Sequence, residues 1–132
     1  MEQHQKNAFA IAKWLQEQPR VQYVLYPGLE NHPGYEINKA QTTGFGGMIS
    51  FAVDNAETAR QILEGVKLIK FAESLGGTES LITYPILQTH TDLTAEECTE
   101  KGITDCLLRF STGIEATQDL IDDLAQAFAV VK

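Results

Sequence analysis

Cysteine is scarce in this 132-residue chain: Cys98 and Cys106 stand eight positions apart, with no C-x-x-C. That excludes a disulfide scaffold and a thiolate-rich zinc site, and it suits two reduced thiols in a cytoplasmic protein. Histidine is scarce too. His4, His32 and His90 lie far apart, and no pair has the i, i+4 spacing of a helical metal site, so no metal centre is expected. Positive charge is limited: 10 Lys and Arg stand against 18 Asp and Glu, for a net charge of −8. A surface of that sign repels polyanions, which excludes nucleic acid and an anionic membrane as partners. No apolar run approaches the roughly 20 residues of a membrane span. The start, Met1-Glu2-Gln3-His4-Gln5-Lys6, is polar and carries acid, so it does not read as a signal peptide. Repeats, low-complexity tracts and linkers are absent.

What is present is the patterning of one α/β domain over residues 1–132, large enough for a sizeable core. Ala8, Ile11, Ala12 and Leu15 recur at helical spacing and predict an amphipathic helix over 3–18, ended by Pro19. A β-prone run over 21–26 closes at Pro27-Gly28. Residues 32–41 suit a short helix with Pro33 in its first turn. Gly44-Phe45-Gly46-Gly47 leads into a strand over 48–53; with Ile49 where a third glycine would fall, it is not a dinucleotide loop. Asp54 or Asn55 can cap a helix whose Ala59, Ile62, Leu63 and Val66 share a face. Strands follow over 68–72 and 80–84, broken by Ser74-Leu75-Gly76-Gly77. Thr94 and Glu97 form a capping box for a helix ending near Glu100, before Gly102. A strand over 106–112 precedes a last helix, capped by Thr117, with Leu120, Ile121, Leu124, Phe128 and Val131 as its apolar stripe. The order α-β-α-β-α-β-β-α-β-α implies a small sheet covered by helices. Trp14 and the phenylalanines read as core.

Arg109 is the most informative residue. Strand alternation places it on one face with Leu107 and Ser111. An arginine among apolar neighbours needs an anionic partner, and its planar fork fits a carboxylate, as an amino acid would offer. From the residues alone, a structural ion pair at a sheet edge is the favoured explanation. In Glu73-Ser74-Leu75-Gly76-Gly77, a hydroxyl and exposed amides beside two glycines can approach a ligand closely, with Glu73 as acceptor for an ammonium; an ordinary tight turn is the alternative. Thr89-His90-Thr91-Asp92 suits a surface loop better than acid–base work. Composition supports no Ser-His-Asp or Cys-His arrangement.

Taken in order, these segments resemble one family. Tyr26-Pro27-Gly28-Leu29, His32-Pro33-Gly34, Gln41 and Gly44-Phe45-Gly46-Gly47-Met48-Ile49-Ser50-Phe51 come first. Ala72-Glu73-Ser74-Leu75-Gly76-Gly77-Thr78-Glu79-Ser80-Leu81, Pro85, Thr89-His90 and Gly102-Ile103 follow, then Leu108-Arg109-Phe110-Ser111-Thr112-Gly113-Ile114-Glu115 and Asp119 to Leu124. The chain resembles the Cys/Met-metabolism enzymes that use pyridoxal phosphate, and the resemblance spans nearly all of residues 1–128. Tyr35, where His is frequent, and Thr112, where Val is frequent, depart from the pattern.

The resemblance implies the small C-terminal domain of the aspartate-aminotransferase-type fold (fold type I), a mainly antiparallel sheet covered by helices. In such enzymes a separate large domain holds pyridoxal phosphate as a Schiff base on a lysine, in a Ser/Thr-Lys segment that no lysine here matches. The fragment alone is then expected to be inactive and to contribute no catalytic or cofactor-binding residue. The match carries over a role in binding the substrate α-carboxylate to Arg109. It makes Ser74, assisted by Leu75, the lining of that site, and Glu73 the partner of a distal ammonium. The implied reaction removes the α-proton of a sulfur amino acid, with the cofactor as electron sink, and eliminates or replaces a β- or γ-substituent. Thr83-Tyr84-Pro85, Gln88-Thr89-His90 and Leu108-Arg109-Phe110-Ser111 most resemble the cystathionine β-lyase branch, as in methionine biosynthesis; Glu73 suits γ-synthase or γ-lyase equally. Implied partners are the sulfur amino acid, the chain's own cofactor domain and further copies in a homotetramer. A stand-alone amino-acid-binding regulatory domain would use the same Arg109 site.

Overall fold

The computed structural model describes residues 2–30, 32–72, 74–85 and 105–131. Helix α1 (Glu2–Gln16) is followed by β1 (Val21–Leu25), α2 (Tyr35–Gln41), β2 (Met48–Val53), α3 (Ala56–Gly65), β3 (Lys70–Phe71), β4 (Leu81–Thr83), β5 (Leu107–Ser111) and α4 (Thr117–Ala129). The helix expected at Thr94–Glu100, with Cys98 and the Thr89–Asp92 segment, lies outside the described residues. Otherwise the sequence order of elements holds.

The five strands lie in the order β1-β2-β5-β4-β3. Pairings β1–β2, β2–β5 and β4–β5 are antiparallel; β3–β4 is parallel. This is the mainly antiparallel sheet expected. The core follows from strand alternation: Val24, Ile49, Phe51, Val53, Ile82, Leu108 and Phe110 share one face and join Ala8, Ile11, Leu15, Ala59, Ile62, Leu120 and Leu124 of the helices in one cluster. Each large side chain hidden there contributes about 2 kcal/mol of transfer free energy. The helix layer thus lies on that face. The opposite face carries Tyr23, Leu25, Ser50, Arg109, Ser111 and Thr83, which share it by register.

Local expectations need four corrections, and the alternative left open for the α3 cap is resolved. Helix α2 begins after Gly34, so Pro33 precedes it. Of the two proposed caps of α3, Asn55 does the work: its Oδ1 accepts from the Thr58 N–H at 2.8 Å. The strand expected over 68–72 contracts to Lys70–Phe71. The Leu68 and Ile69 N–H groups donate instead to the Asp123 carboxylate at 2.9 and 2.8 Å, so they are unavailable to a ladder. Thr117 is the first residue of α4 rather than its cap, and its hydroxyl bonds Asn7 Oδ1. Phe51 and Phe110 are core, but Phe9 and Phe71 are 41% and 51% exposed, because one faces outward on α1 and the other lies on the short edge strand.

Candidate functional site

Arg109 stands in β5, the central strand. Ser50 of β2 faces it on one side and Thr83 of β4 on the other. A sheet-edge arginine is therefore not what the chain carries. The side chain is half-buried on the face away from the helix layer. Polar Ser50 and Thr83 beside it make that patch fit for a charged group and its ligand.

Two residues along, on the same face, Ser111 is buried, and its Oγ accepts the N–H of Gly76 at 2.9 Å. This bond brings the Ser74–Gly77 turn to the strand that carries Arg109. Gly76 has φ +76°, a conformation that side-chain-bearing residues resist, so glycine is needed at the bend. Ser74 and Leu75, just before the bend, are both exposed, Leu75 by 54%. Of the four residues the sequence singled out, Ser74 and Leu75 lie in the turn that is tied through Gly76 to the strand of Arg109. Glu73 lies outside the described residues.

Downstream the turn is pinned by groups the sequence reading had not assigned. The Ile114 N–H donates to Thr78 O at 3.0 Å. The Glu115 carboxylate accepts from the Ser80 N–H and hydroxyl, each at 2.8 Å, and Ser80 Oγ accepts from the Gly113 N–H at 2.8 Å. A Cβ on Gly113 would fall 2.3 Å from Thr78 O, so only glycine lets the two segments approach. From α1, Asn7 is fully buried and donates to the carbonyl oxygens of Gly113 and Glu115 at 3.0 and 2.8 Å. His4 Nε2 lies 3.1 Å from Gly77 O. A carbonyl only accepts, so Nε2 carries the proton in this bond, and buried Nδ1 has no hydrogen-bond partner among the described residues. The available signal was Asn7: a polar residue one position before Ala8 and four before Ile11, on the stripe that enters the core.

A largely apolar pocket of about 270 Å³ adjoins this junction; its lining includes His4, Phe45, Met48, Leu75, Gly76 and Ser111. Cys106 is no candidate nucleophile, since burial and then the hydrogen bond to Asp105 push its thiol pKa up, away from the reactive thiolate. Among the described residues no group of three or more His, Cys, Asp or Glu side chains is placed to hold a metal.

The profile of the family described as Cys/Met metabolism PLP-dependent enzyme matches residues 1–129. The cystathionine gamma-lyase of Dictyostelium discoideum is 51% identical over 128 residues, 96% of this chain and 33% of that protein. The cystathionine beta-lyase of Lactococcus lactis subsp. cremoris is 46% identical over 127 residues, again 96% of this chain and 33% of that protein. The crystal structure of cystathionine gamma synthase from Xanthomonas oryzae pv. oryzae, in complex with aminoacrylate and cysteine, superposes with a TM-score of 0.93 at 43% identity. It covers 98% of this chain and 34% of that one. The chain thus spans about a third of the length of the relatives it matches.

The family's cofactor, pyridoxal phosphate, requires a lysine amine and a set of donors for its phosphate. The described lysines, Lys6, Lys13, Lys39, Lys67 and Lys70, are all exposed. Lys13 and Lys39 lie over the rings of Phe9 and Tyr35. None is enclosed with a buried acid, so the described residues do not fit the cofactor. The matched profile, the relatives and the superposed fold agree, and this chain belongs to the Cys/Met metabolism family of pyridoxal-phosphate-dependent enzymes.

Proposed function

We propose that the chain is the C-terminal, substrate-gripping domain of an enzyme that makes or breaks a carbon–sulfur bond in cystathionine or a related sulfur amino acid. The cofactor would be held by a separate large domain. The observation that carries this reading is Arg109 at the centre of the sheet, on the face away from the helix layer, with the Ser74–Gly77 turn tied to its own strand. In this reading the guanidinium fork receives both oxygens of the α-carboxylate, and Ser74 and Leu75 close over them. Glu73 takes the distal ammonium. The chain's own part in the chemistry is to fix the amino acid at its carboxylate, so that the α-proton and the leaving sulfur are presented in one orientation. The β-lyase branch is favoured by Thr83-Tyr84-Pro85 and Leu108–Ser111. Relatives named γ-lyase and β-lyase match at 51% and 46%, so residues outside the chain carry much of that choice. A regulatory amino-acid-binding domain would use the same arginine; the family match favours the enzyme.

Steady-state kinetics of the full-length enzyme test the assignment. Arg109→Lys keeps the charge and loses the fork, so KM for cystathionine should rise strongly. Arg109→Ala should cost about 2–5 kcal/mol in kcat/KM. A purely structural arginine predicts a lower melting temperature with KM unchanged per folded molecule, and that outcome would remove Arg109 from the site.

A further inference from the structure

We propose that Ser111 is a positioning residue, the tether that sets the substrate-lining turn against Arg109. The inference rests on the assignment of Arg109, Ser74 and Leu75 given above, and it assigns a role to a residue outside that set.

Three observations carry it. Ser111 and Arg109 are i and i+2 on one strand, so their side chains share a face about 7 Å apart along the chain. Ser111 is only 3% exposed, yet its hydroxyl oxygen accepts from the Gly76 N–H at 2.9 Å. Downstream of that bond the turn is held by His4 on Gly77, Ile114 on Thr78 and Glu115 on Ser80; upstream, the Ala72 N–H donates to Ile82 O at 3.0 Å and the Ala72 carbonyl accepts from the Thr83 hydroxyl. Ser111 holds the residue next to Leu75, and among these anchors it is the one that shares both strand and face with Arg109. Beyond its two chain neighbours, no described heavy atom lies within 4 Å of where a Gly76 Cβ would be, so side-chain packing does not fix the bend at that point. The hydrogen bond does. A carboxylate bound jointly by Arg109 and the turn depends on their separation, and a displacement of about 1 Å is enough to weaken such joint binding greatly.

The test uses the full-length enzyme with wild type, Arg109→Lys, Ser111→Ala and Ser111→Thr, corrected for folded fraction by circular dichroism. Ser111→Ala should raise KM for cystathionine about tenfold with kcat within about threefold, because one oriented hydrogen bond is lost while the reacting groups remain. Ser111→Thr, which restores the hydroxyl, should recover most of the KM. A serine that only supports the fold would lower the melting temperature without moving KM. If Ser111→Ala does not accumulate as folded protein, Ser111→Cys fills a similar volume with a weak acceptor and should raise KM in the same direction. An unchanged KM in the folded Ala or Cys variant, with Arg109→Lys impaired, overturns the tether alone. A wild type without activity on cystathionine, or an unimpaired Arg109→Lys, overturns the underlying assignment instead.

Discussion

The Tyr26 ring is fully buried, and its hydroxyl donates to Gly46 O at 2.9 Å. Burial pushes its pKa up from 10.0 to about 12. The neutral phenol is therefore favoured by the fold. Its contribution is complete below pH 10 and is lost as pH rises from about 10 through about 12. Thermal melts across that window should show stability falling, and the fall should be smaller in Tyr26→Phe. Parallel declines in the two proteins would contradict this. The family departures also find local partners. Tyr35 stacks on Phe45, with centroids 5.5 Å apart and an interplanar angle of 12°. The Thr112 hydroxyl lies 2.9 and 3.0 Å from the carbonyl oxygens of Gly47 and His4. Arg109 shows what a sequence offers at this scale. Alternation placed it on a face with Ser111, which the register bears out, but the residues alone favoured an edge position, and the strand is central. Strand order depends on which strands find one another across long loops, and no local pattern in Leu107–Ser111 records it.

At the scale of elements, the amphipathic stripes of α1, α3 and α4 were legible because apolar periodicity is a direct consequence of facing a core. Two of the failures trace to a side chain distant in sequence that engages the segment. Asp123 of α4 is the clearest case. Its carboxylate accepts from Lys67, Leu68 and Ile69, 54 to 56 residues away, and thereby shortens β3 to two residues. The charge is only 7% exposed, and these N–H groups stand in for water. Asp123→Ala would strand three donors near the core. The expected loss is about 3 kcal/mol or more, a drop of about 10 °C in Tm, with Asp123→Asn losing less because it keeps an acceptor. Two variants melting like wild type would show that water replaces the carboxylate. Thr117 failed for a similar reason: buried Asn7, 110 residues away, engages its hydroxyl. In Gly113–Glu115 the family pattern named the residues, but only the fold shows them pinning Thr78 and Ser80.

For the whole molecule, the asymmetry of the sheet matters most. One face is sealed by α1, α3 and α4, and the other carries Arg109, with Tyr23 and Leu25 40% and 42% exposed. A chain that spans about a third of its relatives' length, with its charged site on the face away from its helices, suits a domain that meets its substrate against the rest of an enzyme. That account is tested most directly by a crystal structure of the full-length enzyme with cystathionine or an unreactive analogue bound. It predicts both α-carboxylate oxygens within about 2.7–3.2 Å of two Arg109 guanidinium nitrogens, with Ser74 beside them. A carboxylate held by a different cation, with Arg109 out of contact, would contradict it.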